Sequence, residues 1–391
     1  MMHQFETKNA YFDQLSRNSR LRWLGQNTNH LPLPDEVKQA MVEAIDDDAI
    51  RLYAPPLGIE ALRELILADL GLHDLSVMVT DGAIEGLYHA CRTLVGPGDE
   101  FVTTDPGWKW PVQFAADSGA RVVEIPIYDA AQDFKLTPQQ LADAITEKTR
   151  LVYLVDPNNP LRICYSRDES NAFAGICRDA GAYLIHDCTY RHFAYQHTLA
   201  AEFFPEQTIT TYSFSKWLGL AGLRVGAIVA AGEVLERLAA APPNNLGSNV
   251  LSQRAAIAGL KVKAKWFPEV LQIQRHNQAL IADAAKAIHG LVTPVFPSNG
   301  NFMIIDVSEA GVSPEALVEA LQRQDIMIRQ GSSHSVRFGG RFVKVSTTVP
   351  TGWGEAFCHH LPGAVEVAQG LYDVGPQFSR TIDHASIRKR D

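Results

Sequence analysis

The chain has 391 residues, 46% of them hydrophobic, a length above that at which one core usually stops growing, so two domains are expected. Its formal net charge of -9 at pH 7 argues against a nucleic-acid surface, which carries a basic excess, and leaves a small soluble molecule as the easier partner.

In chain order, the first fifty or so residues are rich in turns such as GQNTNHLPLP and are expected to pack with the C-terminal unit. From 76 to 231, short β-branched or apolar runs alternate with helix-period segments. The expected strands are SVMVT, EFVTT, RVVEIPI, RLVYLV, AYLIH, TITTYS and GAIVAA, with helices at Ala83 to Leu94 and, capped by Thr137, at Pro138 to Ile145. This is the pattern of an α/β domain built on a mostly parallel sheet flanked by helices. A breaker-poor stretch from Pro268 to about Ile288 predicts a long helix that bridges two domains. Beyond it, LVTPVFPSNGNFMIIDV, a helix at Pro314 to Gln322 and a strand at Phe342 to Ser346 predict a smaller α+β unit. The final YDVGPQFSRTIDHASIRKRD, with Arg388, Lys389 and Arg390, is expected to be a solvated mobile tail. The expected division is a large domain over 46–284 and a small one from 1–45 and 285–391.

The cysteines Cys91, Cys164, Cys177, Cys188 and Cys358 form neither a CxxC pair nor a dense framework, which argues against a disulfide scaffold and for a reducing compartment. MMHQFETKNAYF lacks a basic segment followed by an apolar one, and the best apolar run is interrupted by Arg224. No secretory signal, no membrane span and a cytoplasmic location are therefore expected. His186 and His192 match no zinc spacing and His359-His360 are adjacent, so no metal is expected. Met327, Phe302 and Phe338 are read as core.

Ligands of open α/β sheets bind past the carboxyl ends of the strands. There the sequence places Asp81-Gly82-Ala83 opening a helix, Asp105-Pro106-Gly107-Trp108, Asp156-Pro157-Asn158-Asn159-Pro160, Asp187 with Tyr190, and Ser213 with Lys216. Each alone is a turn or a helix cap; their recurrence at successive strand ends is not. SFSKWLGLAGLRVG, from Ser213 to Gly226, also strands Lys216 and Arg224 in an apolar run with no nearby acid.

That last segment resembles the pyridoxal-phosphate lysine signature of class I/II aminotransferases, enzymes of fold type I. The resemblance extends through YAPPLGIEALR, the DGA and PGW turns, DPNNP, DCTY and SNGNF, in that order. It implies that Lys216 forms the Schiff base with pyridoxal 5'-phosphate and that Arg224, Ser213, Gly82 and Ala83 bind the phosphate. It further implies that Asp187 pairs with the ring nitrogen, Asn159 and Tyr190 meet the ring oxygen, and Trp108 stacks on the ring. Tyr53 would reach the neighbouring subunit's phosphate, making a homodimer. Gly25, Asn159 and Lys344 are the candidate substrate-binding residues.

The chemistry suits these types. A carboxylate beside a pyridine nitrogen favours its charged form, which draws electrons from the substrate. A lysine amine can attack an aldehyde and then carry a proton. Arginine forks onto phosphate.

Two departures stand out. Where the family usually clamps the substrate carboxylate with arginine, the strand reads Phe342-Val-Lys344-Val-Ser346, and lysine cannot fork. Lys344, Arg337 or Arg341 could serve, or the substrate could present another group. After DPNNP the family commonly has Thr-Gly and this chain has Leu161-Arg162; Arg162, like Lys109 and Trp110, could meet an anion or simply sit in solvent. The expected function is transfer of an amino group between an amino acid and a 2-oxo acid. The alternatives are a decarboxylase, lyase, cyclase or oxidase on the same fold, or a binding module without activity.

Overall fold

In the computed structural model, residues 2–240 and 246–373 are described. The expected C-terminal tail lies, from residue 374 on, outside them. The chain opens with α1 (Met2–Arg17) and the short β1 (Arg22–Trp23), then α2 (Asp35–Asp46) and α3 (Glu60–Leu70). The molecule divides into two compact units. The larger runs Thr28–Gln272 with Ser298–Asn301; the smaller takes the residues up to Asn27, Ile273–Pro297 and those from Phe302 onward.

The large unit alternates strand and helix. β2 (Ser76–Thr80) leads into α4 (Ala83–Leu94), β3 (Glu100–Asp105) into α5 (Lys109–Asp117), and β4 (Arg121–Pro126) into α6 (Pro138–Ala144). β5 (Thr149–Val155), α7 (Arg167–Asp179), β6 (Tyr183–Asp187) and β7 (Thr208–Ser213) follow. The one-turn α8 (Phe214–Trp217), β8 (Gly226–Ala230) and α9 (Gly232–Ala239) complete the series. The expected start of α6 holds for an identifiable reason, and α7, which the sequence reading did not name, starts the same way. Thr137 and Gln140 form a capping box on α6, and Ser166 and Glu169 form one on α7, each satisfying otherwise orphaned amides.

The strands form one seven-stranded sheet in the order β2-β8-β7-β6-β5-β3-β4. Pairing is parallel from β7 through β4, while β8 lies antiparallel between β2 and β7. β3 and β8 are buried along their whole length, as expected of strands covered on both faces. The edge strand β4 instead exposes Arg121 and Glu124, and charge on an edge discourages pairing with another chain. α4 presents Leu87, Ala90, Cys91 and Leu94 at helical spacing to a core with Phe101, Tyr153, Ile185 and Ile228. It approaches β8 closely, since a Cβ on Gly86 would come within 2.4 Å of Ile228.

α10 (Val250–Lys286) begins eighteen residues before the expected start at Pro268 and runs through that proline. A proline at N1 is a favourable helix start, which is why the sequence suggests one there. Burial of Ala255, Ala256, Phe267 and Val270 on either side of Pro268 stabilises the continuous helix instead. The unit boundary falls within α10, at Gln272/Ile273.

In the small unit come β9 (Phe302–Asp306), α11 (Pro314–Gln322), β10 (Ile326–Met327), β11 (Arg329–Gln330), β12 (Phe342–Ser346) and α12 (Thr351–Asp373). β12 pairs antiparallel with β9 and β11, and β1 pairs parallel with β10. Leu317 and Leu321 of α11 pack with Phe357, Leu361 and Val365 of α12 over Met303, Ile305, Val343 and Val345. Phe302 and Met327 are buried, as read from the sequence, and Phe338 is half-buried.

Candidate active site

Because β2, β3, β5, β6 and β7 point the same way, their carboxyl ends open along one edge of the sheet, and the antiparallel β8 begins there. Gly226, its first residue, pairs with Ser213 of β7 on one side and with Thr80 of β2 on the other. The turn after β2, the end of β7 and the segment before β8 are thereby brought together.

Gly82 closes that junction with φ of 83°, a conformation that favours glycine. A Cβ there would lie 2.4 Å from Nη2 of Arg224, so the guanidinium rests directly on the Gly82 backbone. Arg224 is itself left-handed, at φ 52°. Its Nη1 donates to the Ala221 carbonyl at 2.8 Å and its Nη2 to the Asp81 carbonyl at 3.3 Å. Gly226 must also be glycine, since its Cβ would sit 2.4 Å from the Ala83 nitrogen. Arginine, glycine and the first turn of the twelve-residue α4 thus form a cradle of positive potential. Ser213 Oγ accepts the Ser215 amide at 3.3 Å and keeps its own hydrogen to donate.

Asp187, buried at the end of β6, has both carboxylate oxygens engaged. Tyr153 on neighbouring β5 donates to Oδ2 at 2.9 Å, while Thr211 on β7 and Thr189 donate to Oδ1 at 2.7 and 2.6 Å. Burial, and next the Asp187 charge, push the Tyr153 phenol well above its ordinary value, which keeps it a donor. Lys216 sits half-buried in α8 between the buried Ser215 and Trp217; the wholly buried Trp217 anchors the turn.

Asn159 is buried past β5, and its Oδ1 has no hydrogen-bond partner among the described residues. A buried amide oxygen left unpaired costs about 1–3 kcal/mol, so a ligand partner is the economical explanation. Tyr190 is buried, and the Arg162 guanidinium stacks on its ring at 3.5 Å from the centroid. Arg162 is therefore no solvated loop charge. Trp108 follows β3 and packs partly on the core of the large unit. Lys109 pairs with Asp105 at 3.0 Å and with Glu124, and Trp110 is exposed.

Tyr53 is 78% exposed, so its ring is open to whatever approaches. Gly25 and Lys344 belong to the small unit. A Cβ on Gly25 would lie 2.4 Å from Met327 Sδ. Lys344 is buried rather than superficial, its Nζ 2.7 Å from His334 Nε2 and 4.6 Å from the Phe302 ring centre. Arg341 pairs with Asp306 at 3.4 Å.

The sequence reading missed two buried polar groups. Ligand atoms of His186, Cys188 and His197 lie within 4.8 Å of one another beside Asp156. The Ala200 amide donates to His186 Nδ1 at 3.2 Å, which requires a lone pair there and places the ring proton on Nε2, toward Asp156 Oδ2 at 3.3 Å. That arrangement is a hydrogen-bond network joining the ends of β5 and β6. The second group centres on Asp69 of α3, which meets Arg191, His192 at 3.2 Å, Tyr212 at 2.7 Å and Lys263. It ties the turn carrying Tyr190 to β7, one residue before Ser213. Against the cost of burial, His192, Arg191 and Lys263 hold Asp69 well below the usual carboxylate range. Burial lowers His192 well below its ordinary value and Lys263 to about 8.

The aspartate aminotransferase of Pyrococcus horikoshii is 27% identical over 349 residues, 86% of this chain and 88% of that one. The histidinol-phosphate aminotransferase of Moorella thermoacetica is 30% identical over 321 residues, 79% of this chain and 77% of that one. Among solved structures, an aminotransferase from Mycobacterium tuberculosis superimposes with a TM-score of 0.81 at 24% identity, covering 94% and 97% of the two chains. A Thermus thermophilus aspartate aminotransferase variant gives 0.79 at 22% identity over 95% and 96%; both likenesses are of fold. The family described as Aminotransferase class I and II matches residues 20–361, and the chain belongs to that family of aminotransferase enzymes.

Proposed function

We propose that this aminotransferase exchanges an amino group between an amino acid and a 2-oxo acid using pyridoxal phosphate, the cofactor its family generally uses, joined covalently to Lys216. The observation that carries the reading is the Gly82–Arg224 contact, where a Cβ would lie only 2.4 Å from Nη2. It leaves a glycine backbone, a guanidinium and the start of α4 at one place, the donors an anion would meet. The residues fit the group: this cradle suits a phosphate, the fixed Asp187 carboxylate suits a protonated pyridine nitrogen, and the unpaired buried Oδ1 of Asn159, an acceptor, suits a ring hydroxyl that donates to it.

Bound there, the cofactor supplies an aldehyde that condenses with amines and a ring that accepts the electron pair of the substrate's α-carbon. Asp187 would hold a proton on the ring nitrogen, and Tyr153 and Thr211 keep the carboxylate aimed. Lys216 Nζ would be the group that takes up and gives back the substrate's α-proton, a role worth about 10²–10⁴-fold. Arg224, Ser213 and the Gly82 and Ala83 amides hold the phosphate. Asn159 and Tyr190 orient the ring oxygen, and Trp108 covers the ring face.

The candidates for the substrate carboxylate are Lys344 and Gly25 in the small unit and, separately, Asn159 in the large one. The exposed Val42, Ile45, Ile50 and Leu52, in and just beyond α2, precede the exposed Tyr53 in the chain and support a homodimer in which Tyr53 reaches the partner's phosphate. No helix of the described residues is long and apolar enough to cross a membrane, in keeping with a cytoplasmic enzyme of small-molecule substrates.

Borohydride reduction followed by peptide mass spectrometry tests the reading. The expected adduct is on Lys216; an adduct elsewhere, or none with cofactor supplied, overturns it. Mixing holoenzyme with an amino acid and no acceptor separates the outcomes. Stoichiometric amination of the cofactor is expected, whereas sustained release of carbon dioxide, ammonia or peroxide would reassign the reaction.

A further inference from the structure

Arg162 is wholly buried and adopts φ of 63°, a left-handed conformation that disfavours a side chain with a Cβ. Its turn is held by hydrogen bonds from its amide to the Asn158 carbonyl at 2.9 Å and from the Asn299 amide to its own carbonyl at 3.2 Å. Room for its side chain exists only because position 300 is glycine, where a Cβ would lie 2.2 Å from Arg162 Cδ and 2.7 Å from Nε. On the other side the guanidinium covers the Tyr190 ring at 3.5 Å, and Nη1 donates to the Pro157 carbonyl at 3.4 Å. A buried charge and a left-handed backbone both oppose folding. Neither is needed for the turn itself, whose left-handed backbone a glycine would adopt without strain.

We propose that Arg162 is a positioning residue of the candidate site. Its guanidinium clamps the Tyr190 ring and sets a permanent positive charge beside the ring-oxygen pocket, so that the Lys216–cofactor link releases its proton at lower pH than it otherwise would. The inference rests on the functional reading above. The titratable groups that bear on Arg162 are Tyr190 and Asp187, the latter bonded to Tyr153. Burial lowers the Arg162 guanidinium to about 9, so it is still charged near neutral pH. A like charge close to a protonated nitrogen disfavours that protonation, and in a buried setting the effect is weakly screened.

The test is a pH titration of the visible absorbance of holoenzyme, which reports protonation of the lysine–cofactor link without turnover. Wild type, Arg162→Lys, Arg162→Gln and Arg162→Gly are compared, the last because glycine accepts φ of 63° without strain and so keeps a folded comparison available. In Arg162→Gln and Arg162→Gly the midpoint is expected to rise by about one pH unit or more, and in Arg162→Lys by less. Cofactor bound to Lys216 with a midpoint unchanged in the neutral variants overturns the role of Arg162. Absence of any cofactor link in the wild type overturns the functional reading itself.

Discussion

The Tyr153 hydroxyl donates to Oδ2 of Asp187 at 2.9 Å, from the strand next to the one that carries the carboxylate. With Tyr153 wholly buried and Asp187 buried, the pair fixes the carboxylate before any ligand arrives. Tyr153→Phe therefore leaves Oδ2 short of a donor, and a loss of about 1–3 kcal/mol in stability is expected. Urea unfolding of wild type and variant checks it. Cofactor affinity, measured by absorbance titration, should weaken in the same variant.

Gly82→Ala meets two obstacles, a backbone at φ 83° and the Arg224 guanidinium, which must leave the cradle. The expected result is a fall in cofactor phosphate affinity of at least tenfold. Fluorescence titration of apoenzyme measures it. Arg224→Ala should match it in affinity while costing less stability, because it removes the clash partner rather than adding one. Equal affinity in wild type and both variants would remove the phosphate from this junction.

Asp69 is the counter-charge of Arg191 and Lys263, and its removal strands two largely buried cations. Asp69→Asn is expected to cost about 3–5 kcal/mol at pH 7, read by chemical denaturation.

The same group shapes acid stability. Below about pH 6.5 the unfolded chain binds a proton that buried His192 refuses, so stability falls as pH falls. Asp69, held below its usual range, adds a second decline that begins near pH 4 and ends as its folded form takes up the proton. Denaturation midpoints measured from pH 7 to pH 3 should drop through both windows in wild type. Asp69→Asn should lose the lower one.

Lys344 is buried with its Nζ 2.7 Å from His334 Nε2, so the end of the side chain is rigidly held. Lys344→Met keeps the volume and removes the amine. If Lys344 holds the substrate carboxylate, KM should rise about tenfold or more with little change in the absorbance of the bound cofactor. An unchanged KM, measured across several amino acids, removes it from the site.

Local chemistry determined much of this protein. Five-residue β-branched runs, the Thr137 cap and the four-residue apolar spacing of α4 were readable, because strand and helix periods and caps act within a few residues. The residues at the strand ends, from Gly82 to Lys216, were readable as well, since a parallel sheet sends every carboxyl end to one edge. Tertiary structure alone decided what surrounds them. The antiparallel insertion of β8 places Gly226 between Ser213 and Thr80, a pairing that no single segment encodes. Packing on both sides carries α10 through Pro268, although the local preference is to begin there. Arg162 is buried because a glycine 138 positions later leaves space for it, and Asp187 is fixed by a tyrosine 34 positions earlier. Propensity is a property of neighbours in sequence, whereas burial, charge pairing and the direction of a carboxylate depend on neighbours in space.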